Sequence, residues 1–183
     1  MENSIKKAFQ RNKYLSFFTF LLIPFLFILS ISNSSCFSYR FKDVSIPDSV
    51  KTVKVNFIEN RARYVNPQLS PKLTDRIRQK ITGQTKLTQT NNDNADWIID
   101  GEIREYSVST SGVANQRETT NRLTVSVHII LRDQKAADQR EFDISRNYDF
   151  SASQSLQQAE ARLSDEMIRT LTDEIFNRIF SNW

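Results

Sequence analysis

Leu123-Thr124-Val125-Ser126-Val127-His128-Ile129-Ile130-Leu131 is the stretch whose reading decides the fold. Leu123, Val125, Val127, Ile129 and Leu131 take every second position. Successive side chains of an extended chain point to opposite sides, so a period of two describes a strand with one face in a core. Val125, Val127 and Ile129 are β-branched, a shape that packs well on a pleated surface. His128 stands against this parity and reads as a surface or helix-covered position.

The flanks extend the pattern in both directions. Upstream, Ala95 to Ser109 reads as a longer strand in which Trp97, Ile99 and Ile103 share one parity while Tyr106 and Val108 share the other. The switch near Arg104-Glu105 predicts a bulge or a change of buried face. Downstream, Asp133 to Gln139 is a turn, and Phe142, Ile144, Tyr148 and Phe150 mark a last strand. Earlier in the chain, Val53, Val55 and Phe57 alternate with Lys54 and Asn56 in a strand over 50–58. Residues 59–67 read as a loop, and Thr85 to Thr90 as a short strand.

Two segments switch to the helical period. Ser70-Pro71 predicts a start, with Ser70 as the cap and Pro71 in the first turn, where its missing N–H is no loss. Leu73, Ile77 and Ile81 then form one stripe, and Gly83 predicts the stop. The second helix follows a cap region at 151–155 and runs to about Phe180, with Leu156, Ala159, Leu163, Met167, Leu171, Ile175 and Ile179 at spacings of three and four. Strands clustered between two one-sided helices predict an α+β sandwich: a mixed or antiparallel sheet of four to five strands with both helices on one face. The other face is solvated or reserved for a partner.

Composition excludes most catalysis. The chain of 183 residues has one histidine, three glycines and one cysteine. It has no Gly-rich phosphate loop and no cofactor motif, and His- or Cys-based metal sites lack their ligands. A lone His128 in a strand pattern is no triad base. We therefore read no catalytic residue, no metal ligand and no cofactor.

The first 36 residues say where the body works. Lys6, Lys7, Arg11 and Lys13 precede an apolar run from Leu15 to Ile31, followed by Asn33-Ser34-Ser35-Cys36. These are the parts of a secretory signal, with the single cysteine at its end. We read residues 1–35 as a lipoprotein signal peptide and Cys36 as the lipidated first residue of the mature chain. Acyl chains there would anchor the body, at about 0.8 kcal/mol per buried methylene. An uncleaved single-helix anchor is the second reading of the same run, with Pro24 against a straight span. Residues 36–183 form one domain that begins with a tether at 36–49. Taking four bases and one acid out of 25 and 21 leaves the mature part at 21 and 20, a net of +1. The basic balance thus belongs to the signal and is no argument for nucleic acid.

Three stretches carry a resemblance. They are Cys36-Phe37-Ser38-Tyr39-Arg40-Phe41; the run from Ile46-Pro47 through Val53-Lys54-Val55, Phe57, Glu59-Asn60-Arg61, Asn66-Pro67 and Leu69-Ser70 to Leu73-Thr74; and Asn121-Arg122-Leu123-Thr124-Val125 with Ile175-Phe176-Asn177-Arg178 and Asn182-Trp183. In order and spacing the chain resembles the LPS-assembly lipoprotein (LptE-like) family in its Bacteroidetes-type form. That resemblance implies a non-enzymatic outer-membrane lipoprotein on the periplasmic side. It would plug and help assemble the LPS-assembly β-barrel and help carry lipopolysaccharide to the surface. The alternative is a stand-alone periplasmic ligand-binding lipoprotein, which would need a concave apolar pocket. Phosphate contacts need Arg or Lys, and the candidates are Arg61 and Arg63 in the 59–67 loop and Arg117 and Arg122 beside the 110–122 connection. Trp183 is the candidate for a barrel contact.

Overall fold

The computed structural model describes residues 46–111 and 120–181. Cys36, the apolar run at 15–31, most of the tether, Arg117 and Trp183 lie outside the described residues. In chain order come β1 (Thr52–Val55), β2 (Glu59–Asn60), α1 (Leu69–Gln84), β3 (Thr88–Gln89), β4 (Trp97–Ser111), β5 (Thr120–Asp133), β6 (Asp138–Ser151) and α2 (Leu156–Phe180). The fold is α+β, with a mixed open sheet and two helices. The sheet has six strands, one more than expected, in the order β3-β1-β4-β5-β6 with β2 paired to β4.

Two halves of the sheet differ in direction. β1 runs parallel to β3 and β4, and β2 runs parallel to β4. β4, β5 and β6 form an antiparallel meander, with Trp97 opposite Asp133 and Thr120 opposite Ser151. The register shifts between Ile103 and Glu105, at the switch of parity seen in the sequence. One extra residue on β4 lets Ile103 and Tyr106 both turn inward, and both are buried.

The core lies between the sheet and the helices. All five alternating residues of β5, Leu123 to Leu131, are at most 1% exposed. On the helix side they meet Leu73, Ile77 and Ile81 from α1 and Leu163, Met167, Leu171, Ile175 and Ile179 from α2, all within one buried cluster. The helices run in the same direction: Lys72 Nζ donates to Ser164 Oγ at 3.4 Å, and eight residues later Lys80 Nζ reaches Asp173 Oδ1 at 2.5 Å. Gly101 has a packing reason. A Cβ there would sit 2.8 Å from Ile129 Cδ1 and 3.0 Å from Ile58 Cγ1, so two isoleucines fill the space a side chain would need.

Several local expectations need correction. α1 starts one residue before Ser70, and its cap position, Gln68, is already helical and makes no side-chain cap bond. The stripe begins at buried Leu69, four residues before Leu73, and burying it pulls Ser70 into the helix. Asn66 organises the entry instead, its Oδ1 accepting the Gln68 N–H at 3.0 Å. Gly83 does not end α1, which continues to Gln84. The Thr85 N–H and hydroxyl both donate to the Ile81 carbonyl, at 3.0 and 2.8 Å, so no left-handed glycine is required. The start of α2 is as read: Ser155 and Gln158 form a reciprocal capping box.

The strand predicted over 50–58 narrows to four residues, and the one over 85–90 to two. Phe57 is 54% exposed rather than inward, because the chain leaves β1 after Val55 and Ile58 takes the core position. The 59–67 loop contributes β2, for Glu59 and Asn60 pair with Glu102 and Ile103. Val108, expected to share the inward parity of Tyr106, is 43% exposed.

Candidate functional site: the helix-free face of the sheet

Even-numbered residues of β5 point away from the helices, as the alternation requires. Their neighbours across the ladder are Glu102 on β4 and Asp143 on β6, both registered opposite His128. His128 is 4% exposed although no helix covers it, which corrects its expected surface or helix-covered place. Its Nδ1 lies 2.8 Å from Asp143 Oδ1, and its Nε2 lies 3.6 Å from Glu141 Oε2. Arg104, the residue inserted by the bulge, lies on this face. Its Nε donates to Glu102 Oε1 at 2.6 Å, and its Nη1 approaches Asp143 Oδ1 at 3.5 Å.

β2 delivers Arg61 to the same network. Arg61 Nε and Nη2 donate to Glu59 Oε2 at 3.1 and 2.9 Å, and Nε lies 3.4 Å from Glu102 Oε2. A concavity of about 390 Å³ opens between Asn56, Arg61, Asp100, Glu102 and His128. At one side of it Asn56 Nδ2 donates to Asp100 Oδ1 at 2.7 Å, and Arg132 pairs with the same carboxylate. Hydrogen bonding from Arg104 holds the Glu102 carboxyl below its ordinary range despite partial burial, with Arg61 and His128 acting in the same direction. The hydrogen bond to Glu59 and the charges of Glu59 and Glu102 hold the Arg61 proton more firmly than usual.

Further along β5, Arg122 makes a forked contact with Asp149, Nε to Oδ1 at 2.8 Å and Nη2 to Oδ2 at 3.1 Å. That fork lowers the Asp149 carboxyl below its usual range. Arg61 and Arg122 therefore share a face but not a site. Six residues separate Arg122 from His128, roughly 20 Å at strand spacing. Each guanidinium already has a carboxylate, and such exposed pairs are weak because water screens them and two side chains must be held in one geometry. Arg63 is exposed, and among the described residues no carboxylate pairs with it.

What the sequence reading missed here are the carboxylates. Glu59 could have been seen two residues from Arg61. Asp149 is 27 residues from Arg122 and Asp143 is 15 from His128, and only strand register brings them together. Among the described residues, no group of three or more His, Cys, Asp or Glu side chains could hold a metal ion. No described helix is long and apolar enough to cross a membrane. Two other grooves are present: one of about 750 Å³ between the helices, lined by charged and polar side chains with Ile168, and one of about 520 Å³ where Tyr64, Pro67, Leu69 and Met167 stand beside Lys72 and Glu160.

No curated protein matches the chain. Solved structures similar to it include a neuraminyllactose-binding hemagglutinin homologue from Helicobacter pylori, at 8% identity and a TM-score of 0.55, covering 78% of this chain and 90% of that one. A minor lipoprotein from Acinetobacter baumannii aligns at 14% identity and a TM-score of 0.48, over 72% of this chain and 93% of the other. A hypothetical protein from Chlamydia trachomatis aligns at 13% and 0.48, over 73% and 99%. At these identities the likeness concerns the fold alone. The family model described as LptE, lipopolysaccharide-assembly, matches residues 50–179, which is nearly all of the sheet and both helices, and the chain belongs to that family.

Proposed function

We propose that the protein is a non-enzymatic outer-membrane lipoprotein that plugs and helps assemble the LPS-assembly β-barrel and assists lipopolysaccharide transport to the cell surface. The family match over residues 50–179 carries this reading. The anchor is Cys36, acylated after removal of residues 1–35, on the periplasmic side of the outer membrane. The body acts by presenting surface to a partner. Two of the three grooves described on that body are lined mainly by charged side chains, which favours this reading over a stand-alone receptor for an apolar small molecule.

Lipopolysaccharide phosphates are to be met by arginines, with Arg61, Arg63, Arg117 and Arg122 as the candidates. At Arg61 and Arg122 a phosphate competes with Glu59 and Asp149 for the same guanidinium, so Arg63 is the residue best placed to engage first. Trp183 is the proposed barrel contact.

Affinity purification of the full chain from outer membranes is the test. Stoichiometric recovery of the LPS-assembly barrel is expected, along with an acylated Cys36 at the mature N-terminus by mass spectrometry. A chain recovered free in periplasmic extract with an unmodified Cys36 thiol would overturn the reading. Charge reversal of Arg61 and Arg63 together should weaken lipopolysaccharide binding, and unchanged affinity would remove that loop from the site.

A further inference from the structure

Past the bulge, the edge of β4 has no strand partner among the described residues and forms a second surface, distinct from the helix-free face. On this edge the Asn56 N–H donates to the Ile99 carbonyl and the Arg61 N–H to the Ile103 carbonyl, both at 2.9 Å. Ile99 and Ile103 thus turn their backbone groups toward β1 and β2. Glu105 and Tyr106 resume pairing with Ser126 and Val125 after the inserted Arg104. Counting across that insertion, Tyr106, Val108 and Thr110 turn their backbone groups to the same side as Ile103. β2 stops at Asn60, opposite Ile103, and among the described residues no strand lies beyond it.

The chemistry of this edge is unusual for an exposed one. Edges are ordinarily protected by charge, proline or cover. β6, the other long edge, has six charged residues among fourteen. Tyr106 to Thr110 have none. Ser107, Val108, Ser109 and Thr110 are all exposed. Three of the four exposed large hydrophobic residues gather here: Val108 at 43%, and Tyr64 at 42% with its neighbour Val65 at 53%. Tyr64 stacks on Tyr106, ring centroids 5.5 Å apart, so the apolar patch adjoins the bare backbone.

We infer that this edge pairs with the same edge of a second copy, antiparallel about Val108, extending the meander of one copy into that of the other. The argument for a second copy is self-complementarity. A two-fold axis at Val108 sets Val108 against its equivalent, Ser107 against Ser109, and Tyr106 against Thr110. No charged residue of this stretch meets another. Val108 becomes a hydrogen-bonded pair, and with the two Tyr106–Thr110 pairs the junction makes about six backbone hydrogen bonds. The apolar side chains of both copies fall on one face, where each Val108 meets its equivalent beside the Tyr64 and Val65 patches. The inference stands whether or not the chain serves a barrel.

The test uses the full chain in detergent micelles. Sedimentation should show a dimer that dissociates on dilution. In a Cys36→Ser background, Val108→Cys should oxidise to a covalent dimer, because a hydrogen-bonded pair places Cα atoms about 5.5 Å apart, within disulfide range. Phe57→Cys, at a more exposed position before β2, should not. Val108→Lys should raise the dissociation constant roughly tenfold or more by setting like charges opposite each other. Its melting temperature should hold, since the site is on the surface. A chain that stays monomeric at high micromolar concentration overturns the inference. So does a dimer unaffected by Val108→Lys, or a Val108→Cys cross-link formed only with a different protein.

Discussion

Asp96 gives the sharpest test of how the first strand is held. Its Oδ2 accepts the N–H of Lys51 at 2.7 Å and of Thr52 at 2.9 Å, while its own N–H donates to Thr52 Oγ1 at 2.9 Å. Those two backbone donors, Lys51 before Thr52, lead the forces that lower its carboxyl from 3.8 to about 2. The folded value lies below the unfolded one, so the contribution is complete above pH 4 and is lost as pH falls toward 2. The gap between 3.8 and about 2 converts, at about 1.36 kcal/mol per pH unit, to an upper bound of roughly 2–3 kcal/mol. The side chain is 14% exposed, and modest solvent screening brings the figure to about 2 kcal/mol. Asp96→Asn keeps the shape and one acceptor but removes the charge. Urea unfolding should show it about 2 kcal/mol less stable than the parent at pH 7, or roughly 4–8 °C in melting temperature. At pH 2.5 the penalty should shrink to about a third, because the parent is then losing the same charge. A penalty equal at both pH values would refute the electrostatic account and leave only a steric one.

Two further substitutions probe the helices. Ser155→Ala removes the hydroxyl that accepts the Gln158 N–H, leaving only the Ser155 N–H to Gln158 Oε1 half of the capping box at the start of α2, and should cost about 1 kcal/mol by thermal melting, with Ser155→Asp restoring most of it. Leu171→Ala empties a fully buried position facing the sheet and should cost about 3 kcal/mol in urea unfolding with an unchanged slope.

How much of this was legible depended on how far apart the cooperating residues lie. Leu123 to Leu131 announced itself because alternation needs no partner to be seen, and the same holds for the Leu73–Ile77–Ile81 stripe. β2 did not, since two residues form no pattern and exist as a strand only through Glu102 and Ile103 opposite them, while the short strand read over 85–90 keeps only the two residues that Thr52 and Val53 pair with. Phe57 misled because alternation was read straight through a point where the chain leaves β1. Ser70-Pro71 misled because local capping chemistry was weighed without the burial of Leu69. At the candidate site the sequence supplied the arginines but not their neutralisation. A basic residue read alone looks available, whereas register hands Arg122 to Asp149 and Arg104 to Glu102 and Asp143.

The bulge ties these observations together and makes a prediction of its own. Ile103 points inward, Arg104 and Glu105 both point outward, and Tyr106 points inward again. Arg104 is the surplus residue, so deleting it leaves Ile103, Glu105 and Tyr106 in unbroken alternation opposite Val127, Ser126 and Val125. The deletion should therefore fold, losing the contacts of Arg104 with Glu102 and Asp143 and the local bend, at a cost of about 1 kcal/mol. Deleting Ser126 from the facing strand is the matched control. It has no surplus partner to absorb it, so either Leu123 and Val125 turn to solvent or the Val127 to Leu131 half does, and a slip of one residue moves a whole hydrophobic set to the wrong face. That variant should not fold. Circular dichroism and urea unfolding of the two single-residue deletions, one tolerated and one not, would establish that the phase switch at Arg104-Glu105 is a frame correction in the strand rather than a feature of the loop nearby. Equal collapse of both would show that the twist imposed by the bulge is itself required to seat Tyr106 under Tyr64.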